Sequence, residues 1–277
     1  MRIRRTFQAT AAVAAATAAW GLFEAQWLRA VELEVHVPDL PAALDGLRVG
    51  HLSDLHLGSP SLNVQALRKA VDICRAGGAE VVAISGDVRA RVAGDAALRR
   101  ELRRLDPALG SFAVLGNHDY GHGEDPFADG VPIDDLGDCG VALLADARVE
   151  VERGGSRIAI CGLAPGTVAR DRAADGHDLA AAGGDLRILV CHYPEILDRV
   201  RPGDFQLVLA GHLHGGQICV PWPTGKIRLA HTSRAYLEGI YSRAGTTMHV
   251  SRGVGTTFVP FRFCARPEAT IIVMRAV

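Results

Sequence analysis

The chain has 277 residues, a length that one α/β domain with layered sheets can occupy. Hydrophobic residues make up 48% of it and charged residues 22%, which provides enough apolar surface for a buried core and excludes the disordered and fibrous classes. The 30 basic and 31 acidic residues give a net charge of −1, so no overall positive field attracts a nucleic-acid backbone. We therefore expect a folded protein that does not bind nucleic acid.

The N-terminal segment differs in composition from the rest of the chain. Three of the first five residues are arginines, and residues 6–23 carry no charge. A membrane span needs roughly 20 mainly apolar residues and a signal-peptide core about 7 to 15, so this stretch lies between the two. The basic flank is typical of a cytoplasmic end, and it also resembles a twin-arginine export signal. We predict a signal or membrane anchor over residues 1–30 and a catalytic domain over residues 31–277, on the extracytoplasmic side. Cleavage of the segment stays open, and an Ala-rich helix packed into the domain is the alternative.

The periodicity beyond Val31 predicts an α/β fold. Residues 31–37 alternate as a strand does, and apolar runs over 47–58, 80–87 and 111–119 end in polar residues. Amphipathic helices are predicted between these runs, and strand–helix–strand spacing of about thirty residues is typical of βαβ units. Polar loops of such a sheet gather at the carboxyl ends of the strands.

The second half of the chain contains shorter predicted elements. A helix is predicted near residues 170–182, followed by two apolar strands that each end in histidine. After Gly216 the short β-like runs are separated by Gly and Pro, which predicts a second, more antiparallel sheet. The two sheets are expected to form one catalytic domain.

Five predicted strands end in residues that bind metals or transfer protons. Taken singly, each has an ordinary explanation: an Asp after an apolar strand often caps a helix, and a lone His in such a strand is usually a hydrogen-bonded core residue. Together they lack a packing explanation, because burying so many polar groups is costly unless a bound group such as a metal satisfies them. The residues are Asp54, His56, Asp87, Asn117, His118, Asp119, His192, His212 and His214.

The order of these strand-end motifs resembles a known family. The runs DLH, GD, GNHD, a single His and GHLH follow one another within the stretch from Leu47 to Met274. They are similar to the five motifs of the calcineurin-like metallophosphoesterases. The resemblance implies an α/β fold, the four-layer αββα sandwich of two mixed sheets known as the metallo-dependent phosphatase fold, with a centre of two divalent metal ions.

The resemblance also implies which residues hold the ions. One ion is expected to bind Asp54, His56, Asp87 and His214, and the other Asp87, Asn117, His192 and His212. Asp87 is shared, as a carboxylate with two oxygens allows. Imidazole nitrogens with carboxylate and amide oxygens suit Mn²⁺, Fe or Zn²⁺, and the choice among them stays open. Such a pair of ions activates a water molecule for in-line attack on phosphorus.

His118 and Asp119 are the expected catalytic residues that bind no metal. His118 is expected to stabilise the transition state or protonate the leaving oxygen, and Asp119 to orient its ring. The sequence departs from the family pattern at Arg89 to Arg91, where many relatives place an acidic residue. The departure changes only a residue expected to contact the metal ligands. The predicted ligands themselves are all present.

Three further stretches, HGGQICVP, SRGVG and RPEATIIVM, look most like a narrower, membrane-associated bacterial branch. That branch includes the YkuE and YaeI phosphodiesterases and the chlamydial-type UDP-2,3-diacylglucosamine pyrophosphatase. The likeness implies hydrolysis of phosphodiester or pyrophosphate bonds in lipid-linked or nucleotide-linked substrates at a membrane. An apolar cluster after the GHLH motif also favours such substrates, although core packing explains about half of its members. The cluster is Trp222, Tyr236, Tyr241, Phe258 and Phe261.

Three other functions compete with this prediction. A nuclease of the same superfamily is disfavoured by the near-neutral charge and the lack of an additional DNA-binding domain. A protein serine/threonine phosphatase is disfavoured by the HGGQ stretch. A scaffold without metals is the weakest alternative, because all seven ligand positions are filled. The sequence leaves the physiological substrate and the oligomeric state open.

Overall fold

A computed structural model describes residues 2–121, 125–169, 176–223, 225–230 and 234–277. The strands in these ranges are β1 (Arg29–Val37), β2 (Arg48–Leu52), β3 (Val81–Ser85), β4 (Ser111–Val114), β5 (Val141–Leu143), β6 (Ala147–Arg153), β7 (Ser156–Gly162), β8 (Leu186–Val190), β9 (Leu207–Ala210), β10 (Cys219–Trp222), β11 (Gly225–Arg228), β12 (Gly239–Arg243), β13 (Thr246–Val250) and β14 (Glu268–Ala276). The helices are α1 (Arg2–Gln26), α2 (Asn63–Ala76), α3 (Asp95–Leu102), α4 (Pro165–Ala169) and α5 (His177–Ala181).

The first sheet has six strands in the order β1-β14-β2-β3-β4-β5. Strands β2 to β5 are parallel neighbours, whereas β14 runs antiparallel to β2 and parallel to β1. Helices α2 and α3 supply the crossovers that parallel strands require, as the βαβ spacing predicts. The carboxyl ends of β2, β3 and β4 therefore lie at one edge of the sheet.

The second sheet also has six strands, in the order β12-β13-β9-β8-β7-β6. Strands β7, β8, β9 and β13 are parallel, and only the edge strands β6 and β12 pair antiparallel. The second sheet is thus more antiparallel than the first, as predicted, but the short runs after Gly216 do not form it by themselves, because they are divided among three sheets. Strand β14 returns to the first sheet, β10 and β11 form a separate hairpin, and β8 and β9 are buried on both faces, which is typical of parallel strands.

The two sheets pack face to face with helices outside them. Apolar side chains such as Val49 and Ile272 of the first sheet meet Ile160 and Ile188 of the second in one buried cluster. On the outer face of the first sheet, α2 and α3 cover a second cluster. On the outer face of the second sheet, α4, α5 and the turn Pro194–Asp198 cover a third. This arrangement confirms the predicted four-layer αββα sandwich.

The helix predicted near residues 170–182 falls partly outside the described residues. Residues 170–175 are not among them, and α5 occupies the part that is described, His177–Ala181. Helices α2 and α3 lie between the apolar runs, where amphipathic helices are predicted.

The N-terminal helix α1 joins the domain at its carboxyl end. Its residues 8–17 are exposed, but Ala25 and Glu24 are buried. Arg29 and Ala30 pair with Glu268 and Ala269 in the ladder between β1 and β14. Strand β1 thus begins two residues before the position predicted as the start of the catalytic domain. Within the described ranges, no helix has both the length and the apolar character needed to cross a membrane.

Candidate metal centre

All nine residues predicted for the centre follow the carboxyl ends of five parallel strands. β2, β3 and β4 of the first sheet and β8 and β9 of the second bring their following loops to a common edge. The loop after each strand carries, in this order, Asp54 with His56, Asp87, Asn117 with His118 and Asp119, His192, and His212 with His214.

The backbone at this edge is held in a conformation that is rare for residues other than glycine. A positive φ costs free energy in such residues and persists only where the surroundings impose it, as at many functional sites. Five of the seven predicted ligands have it: Asp54 (53°), His56 (45°), Asp87 (51°), His212 (80°) and His214 (49°). These strained turns lie directly after the strand ends, at the edge where the candidate ligands gather.

Asp54, His56 and His214 form the first group of ligand atoms. The Nε2 atoms of His56 and His214 are 3.1 Å apart, and Nε2 of His214 is 3.5 Å from Oδ1 of Asp54. Two ligands held about 2.0–2.2 Å from one ion are about 3.0–3.5 Å from each other. The three side chains are therefore spaced as ligands of a single ion.

His192 is the middle of the second group. Its Nε2 lies 3.0 Å from Oδ1 of Asn117 and 3.1 Å from Nδ1 of His212. Its Nδ1 lies 2.9 Å from the carbonyl oxygen of Ser85, so Nδ1 carries the proton and donates it there. Nε2 is consequently the atom that faces the group. Burial lowers the pKa of His192, but the carboxylates of Asp87 and Asp54 outweigh burial and raise it to about 9, so Nε2 would release a proton when an ion binds there.

Asp87 lies between the two groups. Its Oδ2 is 3.5 Å from Nε2 of His56 and 3.2 Å from Nε2 of His192. Its Oδ1 accepts a hydrogen bond of 2.9 Å from the amide of His118. Gly116 makes room for this carboxylate, since a Cβ there would lie 2.1 Å from Oδ1. The structure thus brings together the seven predicted ligands, with Asp87 in the shared position.

The protonation states also fit a pair of cations. Burial lowers the pKa of His56 to about 3 and the pKa of His214 well below its ordinary value, so both rings are neutral and available as ligands at neutral pH. Burial and the neighbouring carboxylate of Asp87 raise the pKa of Asp54 to about 7 although His192 lowers it, so a carboxylate here needs further positive charge. Buried carboxylates beside neutral imidazoles match the mixed N/O donors that divalent metals bind.

The structure assigns Asp119 a different role from the predicted one. Its carboxylate accepts hydrogen bonds from the amides of Val88 (3.1 Å), Arg89 (2.9 Å) and Gly116 (2.8 Å). It therefore fastens the loop after β3 to the loop after β4 and makes no bond to the ring of His118. The prediction that Asp119 orients His118 is corrected accordingly.

The carboxylate beside His118 belongs to Asp125, which the sequence analysis did not identify. Oδ2 of Asp125 lies 3.6 Å from Nδ1 of His118 and accepts a hydrogen bond of 2.6 Å from the hydroxyl of Thr257. Asp125 is 6% exposed, so its charge faces the ring with little solvent between them. No motif marks this residue, because an irregular loop places it.

The arginines at the departure from the family pattern hold that loop. Arg89 donates to the carbonyl of Val131 (2.8 Å), and Arg91 donates to the carbonyl of Phe127 (2.7 Å). Both contacts lie on the segment that follows Asp125. Where many relatives have an acidic residue after the second motif, this chain has Arg89 and Arg91. These two arginines hold the segment that follows Asp125, whose carboxylate lies beside His118.

Two clefts of different character flank the centre. The polar cleft has a volume of about 390 Å³ and is lined by Asn117, Val168, Tyr193, Glu195, Arg199, His212 and Arg234. The apolar cleft has a volume of about 430 Å³ and is lined by His118, His212, His214, Gly216, Gln217, Ile218, Leu229, Ala230, Thr257, Phe258 and Val259. His212 lines both clefts, so the candidate ligands lie where the clefts meet.

The predicted apolar cluster is only partly at this site. Phe258 lines the apolar cleft and packs against the ring of His118, whereas the rings of Tyr236 and Tyr241 pack on each other, 5.0 Å apart, against the outer core of the second sheet. Trp222 lies exposed on the hairpin of β10 and β11. Core packing therefore explains part of the cluster, as expected.

Comparison with known proteins identifies the family of this chain. Residues 47–216 match the calcineurin-like phosphoesterase family. Metallophosphoesterase YkoQ of Bacillus subtilis is 28% identical over 228 residues, which cover 81% of this chain and 82% of that protein. YkuE of the same organism is 27% identical over 253 residues, or 86% of this chain and 82% of that protein. A Danio rerio protein named as a transmembrane protein with a metallophosphoesterase domain is 31% identical over 280 residues, or 95% of this chain, but the match spans only 61% of that protein.

Fold, ligand geometry and sequence similarity define a metal-dependent phosphoester hydrolase. The chain belongs to the calcineurin-like phosphoesterase family, whose members use two divalent metal ions.

Proposed function

We propose that this enzyme hydrolyses a phosphodiester or pyrophosphate bond in an amphipathic, lipid-linked substrate at a membrane surface. The position of the candidate ligands between a polar and an apolar cleft carries the proposal. Arg199 and Arg234 suit a second phosphate or another anionic group, and the ring of Tyr193 offers a stacking surface. Ile218, Leu229 and Phe258 suit a hydrocarbon chain.

The residues of the centre would have distinct roles in metal binding and proton transfer. Asp54, His56 and His214 with Asp87 would hold one ion, and Asp87 with Asn117, His192 and His212 the other. When bound, the two ions would lower the pKa of a water molecule and neutralise the charge of the phosphate. His118 lines the apolar cleft, so it would donate a proton to the oxygen of the group that leaves into that cleft, and Asp125 would support the protonated ring.

The membrane part of the proposal is supported by the N-terminal helix. Trp20 and Phe23 of α1 are 50% and 54% exposed, and their ring centroids lie 5.6 Å apart. Exposed aromatic residues on a helix with a basic end are typical of attachment to a bilayer surface. We propose that α1 attaches the enzyme to the surface of a membrane through its basic end and these exposed rings.

The test is a substrate panel assayed with Mn²⁺, Zn²⁺ and Fe²⁺. It contains p-nitrophenyl phosphate, bis-p-nitrophenyl phosphate, UDP-2,3-diacylglucosamine and a short-chain analogue of the latter. We expect the long-chain substrate to have the highest kcat/KM and the phosphomonoester the lowest. UDP-2,3-diacylglucosamine is the more specific candidate, because the arginines of the polar cleft suit its pyrophosphate and nucleoside. Equal kcat/KM for long and short chains would contradict the lipid part.

A matched pair of variants tests the apolar cleft itself. Leu229→Ser makes the lining polar, whereas Ile240→Ser makes the same kind of change at a 43% exposed residue of the edge strand β12. Loss of a few buried methylene contacts, at about 0.8 kcal/mol each, should lower kcat/KM for the long chain about tenfold in the first variant only. Activity on bis-p-nitrophenyl phosphate should stay unchanged in both.

A further inference from the structure

Arg262 is the largest fully buried side chain of the described structure, and the sequence motifs gave no role to it. Its guanidinium is surrounded by backbone carbonyls. It donates to the carbonyls of Arg252 (2.7 Å), Ala265 (2.9 Å) and Gly255 (3.2 Å). A charge buried at this depth is retained only where its hydrogen bonds fix a structure.

The structure that Arg262 fixes is the first group of ligands. Nη1 of Arg262 donates to the carbonyl of His214 (3.2 Å), and Nη2 lies 3.3 Å from Nδ1 of the same ring. The segment that Arg262 holds also supports Asp54, whose carbonyl accepts a hydrogen bond of 2.8 Å from the amide of Gly255. One guanidinium therefore connects the loops of two candidate ligands. This also explains the SRGVG stretch, which contains Gly253 and Gly255.

The carboxyl end of α1 holds the segment that carries Arg262. The amide of Arg262 donates to the carbonyl of Gly21 (3.1 Å), and the amide of Ala265 donates to Oε1 of Glu24 (2.8 Å). The guanidinium of Arg266 lies 3.6 Å above the ring of Trp27. Glu24 is only 3% exposed, and its other carboxylate oxygen accepts a hydrogen bond of 3.2 Å from the indole of Trp20. The buried carboxylate thus bridges the helix and the loop.

We propose that Glu24 is a positioning residue, which holds Arg262 and through it His214, so that the end of α1 is part of the support of the metal centre. The helix that the sequence predicts as a separable anchor then has two parts. The exposed part is free of the domain, and the part from Gly21 onward keeps one group of ligands in place. This inference rests on the proposed function for the assignment of His214 as a ligand.

The experiment measures Mn²⁺ binding by the full-length protein in detergent. Wild type, Glu24→Ala and Glu24→Gln are compared with Glu34→Gln, a control that removes an exposed carboxylate on β1. Mn²⁺ affinity is measured by calorimetric titration, and the Tm of each metal-free protein is recorded alongside. We expect wild type to bind two Mn²⁺ ions and Glu24→Ala to bind one of them about tenfold more weakly, which is the usual effect of losing an outer partner of a ligand. Glu24→Gln should restore the affinity, because its amide oxygen can still accept from Ala265, and Glu34→Gln should match wild type.

Each outcome decides a different point. A lower Tm for Glu24→Ala with both Mn²⁺ affinities unchanged would reduce Glu24 to a structural residue and overturn the inference. Failure of wild type to bind two ions would refute the proposed centre itself. If Glu24→Ala does not fold, Trp20→Phe replaces it, because this change removes only the indole donor to Glu24. The affinity for the same Mn²⁺ ion should then fall to a smaller extent. Unchanged affinities in folded Trp20→Phe would then count against the inference.

Discussion

Nδ1 of His118 lies 3.6 Å from Oδ2 of Asp125 in a place where solvent hardly reaches either side chain. Both side chains also lie with His56 in a group of possible ligand atoms, so the pair stands at the edge of the candidate centre. The pair stands beside the apolar cleft, and this position suits a proton donor to a leaving group.

His118→Ala should leave both metals bound while kcat falls about 100- to 10,000-fold, the usual contribution of a general acid. The loss should be largest for substrates with poor leaving groups, since these depend most on protonation. Metal analysis together with rates on a series of aryl phosphodiesters would check this. A fall in metal content would contradict the role.

Asp125→Asn and Asp119→Asn should differ in what they disturb. Asp125→Asn removes the charge beside His118, so kcat should fall about tenfold with Tm nearly unchanged. Asp119→Asn weakens the bonds to the amides of Val88, Arg89 and Gly116, so Tm should fall and metal binding weaken with it. Thermal unfolding and steady-state rates of both variants distinguish the two roles.

Asp87→Asn should weaken the binding of both metal ions at once, because Oδ2 of Asp87 lies near His56 and near His192. We expect metal content and kcat/KM to fall in parallel, the latter by at least about 100-fold. Elemental analysis of the purified variant, beside its turnover of bis-p-nitrophenyl phosphate, provides the measurement. Two metals per chain with normal turnover would show that the carboxylate is not shared.

Glu101 on α3 gives a prediction for acid stability. Burial raises its pKa, but hydrogen bonds from Arg68, Arg104 and Arg100 outweigh burial and lower it from 4.5 to about 2. A depressed pKa contributes stability that is present above pH 4.5 and is lost as the pH falls toward 2. Because the arginines are partly exposed, Glu101→Gln should lower the free energy of unfolding at pH 7 by only about 1 kcal/mol. Urea unfolding at pH 7, 4 and 2.5 should show this difference shrinking as the pH falls.

The position of an N-terminal deletion should decide whether an active domain remains. Removing residues 2–19 deletes the basic end of α1 but keeps Trp20, Phe23 and Glu24, so we expect weaker attachment to membranes with activity retained. Removing residues 2–30 also deletes Glu24 and the first two residues of β1, so Tm and metal content should fall. Cell fractionation, Tm and metal analysis of both forms test this. Membrane association that is unchanged without residues 2–19 would contradict attachment through that part of α1.

The sequence by itself determined the fold class and the positions of the candidate ligand residues along the chain. Apolar runs that end in Asp, Asn or His carry this information locally, because parallel strands bring their carboxyl ends to one edge whatever the intervening loops do. Asp54, Asp87 and His192 could therefore be placed together from their strand ends alone.

Only the tertiary structure decided which side chains support these residues. Asp125 reaches His118 through an irregular loop held by Arg89 and Arg91, and Glu24 reaches Ala265 across 241 positions of the chain. The parallel pairing within the second sheet was likewise hidden, since a short buried strand reads the same in either direction. Such contacts depend on packing between distant segments, and local periodicity and motif spacing contain no record of them.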